Sequence, residues 1–158
     1  MPLSNIHIEI QGEQELQQNM ERICRELHGD RMLEAMRDAT LLVSGSARTY
    51  APVDRGILRA SIIPEVRTEG KTVIGVVGSN KIHAPFPETG TRPHWPPLAA
   101  LETWAARHGT TAFVVARAIA RRGTRAVHYL QRAFDEHRNS IMELIGRGVD
   151  SIIHNKRG

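Results

Sequence analysis

The apolar residues change their spacing abruptly at Pro52–Gly56, and this change constrains the fold more than any other feature. Before it, residues 31–50 carry an apolar stripe at helical spacing. After it, residues 57–67 and 72–78 are rich in β-branched side chains, and Gly70 lies between them where a hairpin turn needs a left-handed residue. The sequence therefore predicts a long helix followed directly by a β-hairpin.

The connection between the two is a tight turn whose residue types each have a local purpose. Pro52 fixes φ, Asp54 can accept a hydrogen bond from its own backbone, and Gly56 admits a positive φ. We therefore expect Gly56 to adopt a backbone conformation that is unfavourable for other residues.

Two further elements precede the long helix. Residues 5–10 alternate apolar and polar side chains, so that Ile6, Ile8 and Ile10 share one face, and we assign residues 1–12 to an N-terminal strand. A helix follows as far as Gly29, with Cys24 on its apolar face as a small buried side chain. Cys24 is the only cysteine, which excludes an internal disulfide and suits a protein made in a reducing cytoplasm.

The second half begins with an unusually long loop. Residues 79–97 contain five prolines and one glycine, too many for a regular element. Three helices are predicted beyond it: one after Pro97, one over residues 112–122, and one from about residue 126. Because Gly146 and Gly148 weaken the last helix, residues 149–158 are expected to be frayed.

These elements define an α+β fold, in which a small antiparallel β-sheet packs against a long helix and two or three further helices follow. The length of 158 residues, with 41% hydrophobic and 24% charged side chains, fits one folded domain over residues 1–158. The sequence has no apolar run long enough for a membrane span and no signal peptide pattern, so we expect no membrane association.

The sequence shows no arrangement of residues typical of an enzyme. None of the eight histidines pairs with another at metal-binding helical spacing, and phosphate-binding glycine loops are absent. The run Ser44-Gly45-Ser46 lies inside a helical stripe, so it does not form a nucleophile elbow. We therefore expect no catalytic residues, no cofactor and no metal, and we set aside a small hydrolase as an alternative.

Candidate contact residues are concentrated in the second half of the chain. Residues 1–70 carry a net charge of −3 and residues 71–158 a net charge of +7, which suggests an acidic partner for the second half. The long loop offers Phe86, Arg92 and Trp95, residue types that are enriched in interfaces, although both rings could instead cover the sheet. The basic interface candidates farther along are Arg117, Arg121, Arg122 and Arg125.

Three ordered blocks resemble the small minor-tail or neck proteins of lambda-like long-tailed bacteriophages. Residues 51–62 resemble the family signature A-P-V-D-T-G-x-L-R-x-S-I, with Arg55 in place of the usual threonine. Residues 88–91 resemble the family's E-x-G-T, which includes Gly90. Residues 116–124, followed by a helix containing residues 131–134, are similar to its C-terminal part.

This resemblance implies a structural protein of the head-to-tail junction, found in the virion after synthesis in the host cytoplasm. It implies a ring, expected to be a hexamer, around the DNA path, in contact with other neck proteins, the head adaptor and the tail tube or terminator. Tail completion, tail termination and a head-side adaptor stay open as positions, and the chain would lie near genomic DNA without reading its sequence. From the residues alone, the alternative is a DNA-binding regulator that uses the basic C-terminal half.

Overall fold

The structure, a computed structural model, describes residues 13–154 and confirms the predicted α+β class. The predicted strand over residues 1–12 lies outside the described residues. Along the chain the elements are α1 Glu13–Glu26, α2 Asp30–Tyr50, α3 Ile57–Ser61, β1 Ile62–Glu69, β2 Thr72–Ser79, α4 Pro85–Thr89, α5 Leu98–Arg107, α6 Ala112–Arg122 and α7 Tyr129–Ile153.

The long helix α2 lies between the β-hairpin and α7. Its buried residues are mostly small, which lets both neighbours approach closely. A Cβ atom added to Gly75 of β2 would lie 2.6 Å from Cγ2 of Thr40, and one added to Gly148 of α7 would lie 2.8 Å from Cβ of Ala35. Helix α7 runs antiparallel to α2, since Arg31 reaches Ser151 at one end and Ser46 reaches His137 nearer the other.

The hairpin is a regular two-stranded antiparallel sheet whose register runs from Ile62 opposite Ser79 to Glu69 opposite Thr72. Gly70 has the predicted positive φ, 59°, in the connecting turn. Ile62 is fully buried, and Arg48 of α2 donates a hydrogen bond of 2.7 Å to its carbonyl oxygen. Because side chains alternate along a strand, one face of the sheet packs on α2 and the other faces solvent.

The segment Ile57–Ser61 is a short helix, so its assignment to the first strand was wrong. Gly56 has φ 74° and ψ 0°, which confirms its expected left-handed conformation, and its carbonyl oxygen accepts a bond from the amide of Ala60. Leu58 is buried by this helical turn. Apolar runs this short fit a helix or a strand equally well, so their spacing alone does not distinguish the two.

The long loop also contains a short helix, α4, which the proline content had argued against. Pro85 lies in the first turn of α4, where the missing N–H needs no partner, and the amide of Gly90 closes the helix on the carbonyl oxygen of Phe86. The prolines therefore start this element and do not interrupt it.

The helix boundaries in the C-terminal part differ from expectation at both ends of α7. It begins at Tyr129, after His128 in a left-handed conformation with φ 55°. It continues through Ile153, so the predicted fraying is wrong for residues 149–153; residues 155–158 are not described. Ile152 is fully buried, and Arg22 and Arg31 donate hydrogen bonds to the carbonyl oxygens of Ile152 and Ser151. These tertiary contacts outweigh the low helix propensity of the two glycines.

Helix α1 packs against the rest of the protein only through its second half. Residues 14–21 are all exposed, whereas Ile23 and Leu27 are half-buried. Cys24 is exposed, so the expectation of a buried cysteine was wrong. The apolar stripe of α1 is real, but its first half has no partner among the described residues.

Three glycine substitutions should separate backbone strain from steric contact. Gly123→Ala should lower the free energy of unfolding by about 3 kcal/mol or more, because φ 69° with ψ −160° suits only glycine and the new Cβ would meet the carbonyl oxygen of Thr91. Gly56→Ala, whose Cβ meets nothing within 4 Å, should cost only the left-handed strain of about 1–2 kcal/mol.

Gly45→Ala serves as the matched control for these two variants. Gly45 lies in the interior of α2, and its added Cβ meets nothing within 4 Å, so the variant should gain about 0.5–1 kcal/mol. Urea unfolding followed by circular dichroism measures all three. Equal losses for Gly123→Ala and Gly56→Ala would contradict the steric contribution.

Candidate interaction surface

The turn at Ala51–Gly56 faces α5. The Asp54 carboxylate accepts a hydrogen bond of 2.5 Å from Arg107 of α5, and the Arg55 guanidinium lies 3.9 Å away. The turn pattern had suggested that Asp54 accepts a hydrogen bond from its own backbone. In the structure its side chain binds Arg107 of α5 instead. Between this turn and α5 lies an open cleft of about 530 Å³, bordered by Trp104 and His108, whose rings stack at 4.0 Å.

Glu88 caps the N-terminus of α7 from a distant part of the chain. Its two carboxylate oxygens accept hydrogen bonds from the amides of Leu130, at 2.8 Å, and Gln131, at 3.1 Å. These are N–H groups of the first turn, which no carbonyl of the helix itself can satisfy. A negative charge at this position also complements the helix dipole. The acidic residue of the E-x-G-T block thus has a structural role.

The next residues of that block join the loop to the end of α6. Thr91 and Thr124 form an antiparallel bridge, with backbone hydrogen bonds of 3.1 Å and 3.3 Å. We call this contact the threonine clip. Both residues follow glycines with positive φ, and a Cβ on Gly90 would lie 2.6 Å from the Thr124 carbonyl oxygen. Only glycine permits such a close backbone approach at both positions.

Tyr129 completes the attachment of α7 to the loop. The ring is almost fully buried, and its hydroxyl donates a hydrogen bond of 3.3 Å to the carbonyl oxygen of Ala84. Burial raises the pKa of Tyr129, and the nearby Glu88 carboxylate raises it further. The hydroxyl therefore stays protonated and available as a donor.

Helices α5 and α6 form a hairpin that packs chiefly on itself. Ala105 and Ala116 are buried between the two helices, while most other side chains of the pair are exposed. The threonine clip and the Asp54–Arg107 contact attach this hairpin to the body of the protein. The hairpin is thus attached at both ends, by Arg107 beside its connecting turn and by Thr124 after α6.

One side of this hairpin is an exposed surface of aromatic, aliphatic and basic side chains. Trp95 packs edge-on against Phe113 of α6, with ring centroids 5.8 Å apart, yet both rings remain 54% exposed. The positions of Val114, Arg117 and Arg121 place them on the same exposed side of α6. We call the surface formed by Trp95, Phe113, Val114, Arg117 and Arg121 the α6 face.

The remaining interface candidates do not all join this face. Phe86 is 54% exposed on α4, without ring contact to another described aromatic residue. Arg92, Arg122 and Arg125 are exposed, but Arg122 lies on a different side of α6 and Arg125 follows the threonine clip. Sequence reasoning missed Phe113 and Val114, which a helical projection of residues 112–122 places beside Arg117 and Arg121.

Ser46 of α2 and His137 of α7 form the one contact between described residues that resembles a catalytic pair. The Ser46 hydroxyl lies 2.6 Å from Nε2 of His137, but the nearest carboxylate, Glu136, lies 4.0 Å from the same nitrogen. An orienting acid would have to bind Nδ1 instead. Glu136 also accepts the hydroxyl of Tyr50, which raises the pKa of that tyrosine. The arrangement is that of a polar contact between two packed helices.

The described residues contain neither a metal-binding cluster nor a helix that could span a membrane. Over residues 13–154, no three or more His, Cys, Asp or Glu side chains cluster in a way that could hold a metal ion. Within the same range, every helix is too short or too polar to cross a membrane.

Comparison with family models, with curated proteins and with solved structures found no match to this chain. The function proposed below therefore depends on the three sequence blocks and on the geometry of the surface.

Removal of the Glu88 carboxylate should destabilise the start of α7. Glu88→Ala should lower the free energy of unfolding by about 1–2 kcal/mol, because two amides of the first turn lose their charged acceptor. Glu88→Gln keeps one acceptor oxygen and should lose less. Glu102→Ala, on the exposed side of α5, is the control and should change stability by less than about 0.5 kcal/mol. Equal effects at Glu88 and Glu102 in urea unfolding would contradict the capping role.

Proposed function

We propose that this protein is a structural component of the head-to-tail junction of a long-tailed bacteriophage, which assembles with copies of itself into a ring around the DNA path. Tail completion is the position that we favour, with tail terminator or head-side adaptor as alternatives in the same neck. The ring would contact the head adaptor on one side and the tail tube or terminator on the other. The observation that carries this proposal is the α6 face, an exposed aromatic and basic surface next to the sequence blocks that resemble neck proteins.

The residues that carry the resemblance support it because they have connected roles. Asp54 in the first block binds α5, Glu88 in the second caps α7, and Gly90 meets the third block at the threonine clip. The second and third blocks contact each other at the threonine clip, and the first block binds the α5–α6 hairpin through Asp54. The three blocks therefore fix the position of that hairpin and of the start of α7.

The amount of exposed surface supports an assembling subunit. The chain has an accessible surface of 11945 Å², whereas a compact monomer of 17.6 kDa exposes about 7,900 Å². The residues outside 13–154 would contribute at most about 2,600 Å² as an extended chain. When that area is subtracted, the accessible surface still exceeds that of the compact monomer by more than about 1,000 Å². A ring subunit has two neighbours, and each typical interface covers about 800 Å² per partner.

The chemistry of the α6 face fits a protein partner with an acidic surface. Trp, Phe and Arg are residue types enriched at the centre of interfaces. The first 70 residues carry a net charge of −3, so a head-to-tail arrangement would place the basic half of one subunit against the acidic half of the next. Such a heterologous contact is the kind that closes into rings.

A DNA-binding regulator remains the second candidate, because of the arginines. Arg117, Arg121, Arg122 and Arg125 are exposed, and in the described part of the chain none is paired with a carboxylate. Free basic side chains on one part of a surface can bind phosphates. The aromatic and aliphatic side chains between them favour protein over duplex DNA.

Native mass spectrometry of the purified protein over a range of concentrations tests the ring. We expect a closed assembly of six chains, seen in negative-stain electron microscopy as a ring with a central opening. Open chains, or a dimer as the largest species, would contradict it. A monomer that binds duplex DNA with sequence preference, and loses affinity steeply with salt, would favour the regulator.

The double variant Phe86→Ser with Trp95→Ser should separate contact residues from core residues. Both rings are about half exposed, so the monomer should stay folded by circular dichroism while ring formation is lost. Met142→Ser, which removes a 67% exposed side chain from α7, is the control and should leave the ring intact. A variant that unfolds would show the rings to be core residues, and a folded variant that still forms rings would remove them from the interface.

A further inference from the structure

An apolar groove runs between β2 and α7, with α2 as its floor. Its volume is about 290 Å³. Met36, Ala39 and Val43 form the floor, Val77 lies on the strand side, and Phe134, itself 47% exposed, lies on the helix side. Apolar side chains line most of a groove that opens to solvent beside a strand edge.

The edge of β2 that borders this groove is unpaired in the described part of the chain, and nothing in its sequence protects it. The strand Thr72–Ser79 contains no charged residue and no proline. Native proteins usually protect free strand edges with charges, prolines or a covering element. The edge of β1 has such protection, since Pro64 lacks an N–H donor and Glu65 and Arg67 lie beside it. The edge of β2 is therefore the one suited to receive another strand.

The chain supplies a segment of the right pattern just before α1. Residues 5–10 alternate, with Ile6, Ile8 and Ile10 on one face and polar residues on the other. Six residues of extended chain span about 20 Å, within the length of the eight-residue β2. A strand added beside β2 would direct every second side chain toward α2, and thus into the groove.

The exposure of α1 favours a neighbouring copy as the source of this segment. Residues 14–21 are all exposed, including Leu16 at 65% and Met20 at 54%, so the start of α1 makes no close packing with its own α2 or α7. No described residue covers these apolar side chains, so they are available to a partner. A neighbouring copy that binds here would bring its own β2 edge close to the segment before α1.

We propose that residues 5–10 of one copy bind the β2 edge of the next, with the three isoleucines in the groove between β2 and α7. This inference rests on the proposed ring and identifies one of its joining contacts. It is strand addition between subunits: backbone hydrogen bonds supply affinity, and the groove fixes which face of the segment points inward.

Disulfide trapping between two differently tagged chains tests this contact. In a Cys24→Ser background, one chain carries His7→Cys and the other Val76→Cys, which lies on the solvent face of β2 and is 39% exposed. Glu9→Cys replaces His7→Cys in a parallel mixture to cover the adjacent register. We expect a mixed-tag dimer on a non-reducing gel that disappears on reduction.

The matched control replaces Val76→Cys by Ile63→Cys, on the same solvent face but on β1 and 53% exposed. A strand bound at β2 lies too far from Ile63 for a disulfide, so this mixture should give no dimer. Equal trapping at both positions, or none at Val76, would overturn the proposal. A chain carrying both His7→Cys and Val76→Cys that forms only an internal disulfide would overturn it too, because the segment would then bind its own sheet.

A second pair of variants separates this contact from the ring itself. Ile8→Asp places a charge in the groove and should raise the concentration needed for ring formation at least tenfold, whereas His7→Asp, on the opposite face of the segment, should leave it unchanged. Circular dichroism checks that both are folded. Unaltered rings with Ile8→Asp would overturn the segment's role while leaving the ring in place. If the mixed dimer is trapped but no closed rings form, the contact between residues 5–10 and β2 is supported and the ring is contradicted.

Discussion

The structure depends on the long helix α2, whose small buried residues let other elements pack closely on two of its sides. Ala35, Ala39, Thr40 and Ala47 of α2 leave room for the β-hairpin on one side and α7 on the other. Close packing of backbones in this way gives many contacts but buries few large side chains, and Tyr129, Ile62 and Ile152 are the largest side chains that are fully buried. Apolar area that such a core does not use is left at the surface, where association with other subunits can bury it.

A second set of contacts fixes the positions of the elements that follow the β-hairpin. The threonine clip brings the long loop to the α6–α7 junction, and Glu88 and Tyr129 attach the start of α7 to the same loop. With these contacts and the Asp54–Arg107 pair in place, the α5–α6 hairpin is held at both ends although it packs little on the core. An exposed surface that is fixed in this way suits a subunit that must join a neighbour in a defined orientation.

The proposed contacts lie on different parts of the subunit. The α6 face is aromatic and basic, whereas the groove beside β2 is apolar and receives a backbone edge. A head-to-tail ring requires two unlike surfaces per subunit that bind each other, and the groove with residues 5–10 of the next copy would form one such pair. Loss of either contact would weaken an assembly whose individual subunits have only a modest core.

The sequence by itself determined the long helix, the hairpin and the left-handed Gly56, because periodicity and turn chemistry act over a few residues. Only the tertiary structure decided that Ile57–Ser61 is helical, that α7 continues through Ile153, and that Asp54 and Glu88 bind partners more than 40 residues away. These outcomes depend on burial and on long-range hydrogen bonds, whose partners are adjacent in space and not along the chain. The arginines of α6 could be named from the sequence because they lie close together along the chain. The ring contact of Trp95 with Phe113 could not, because the two residues are adjacent only in space.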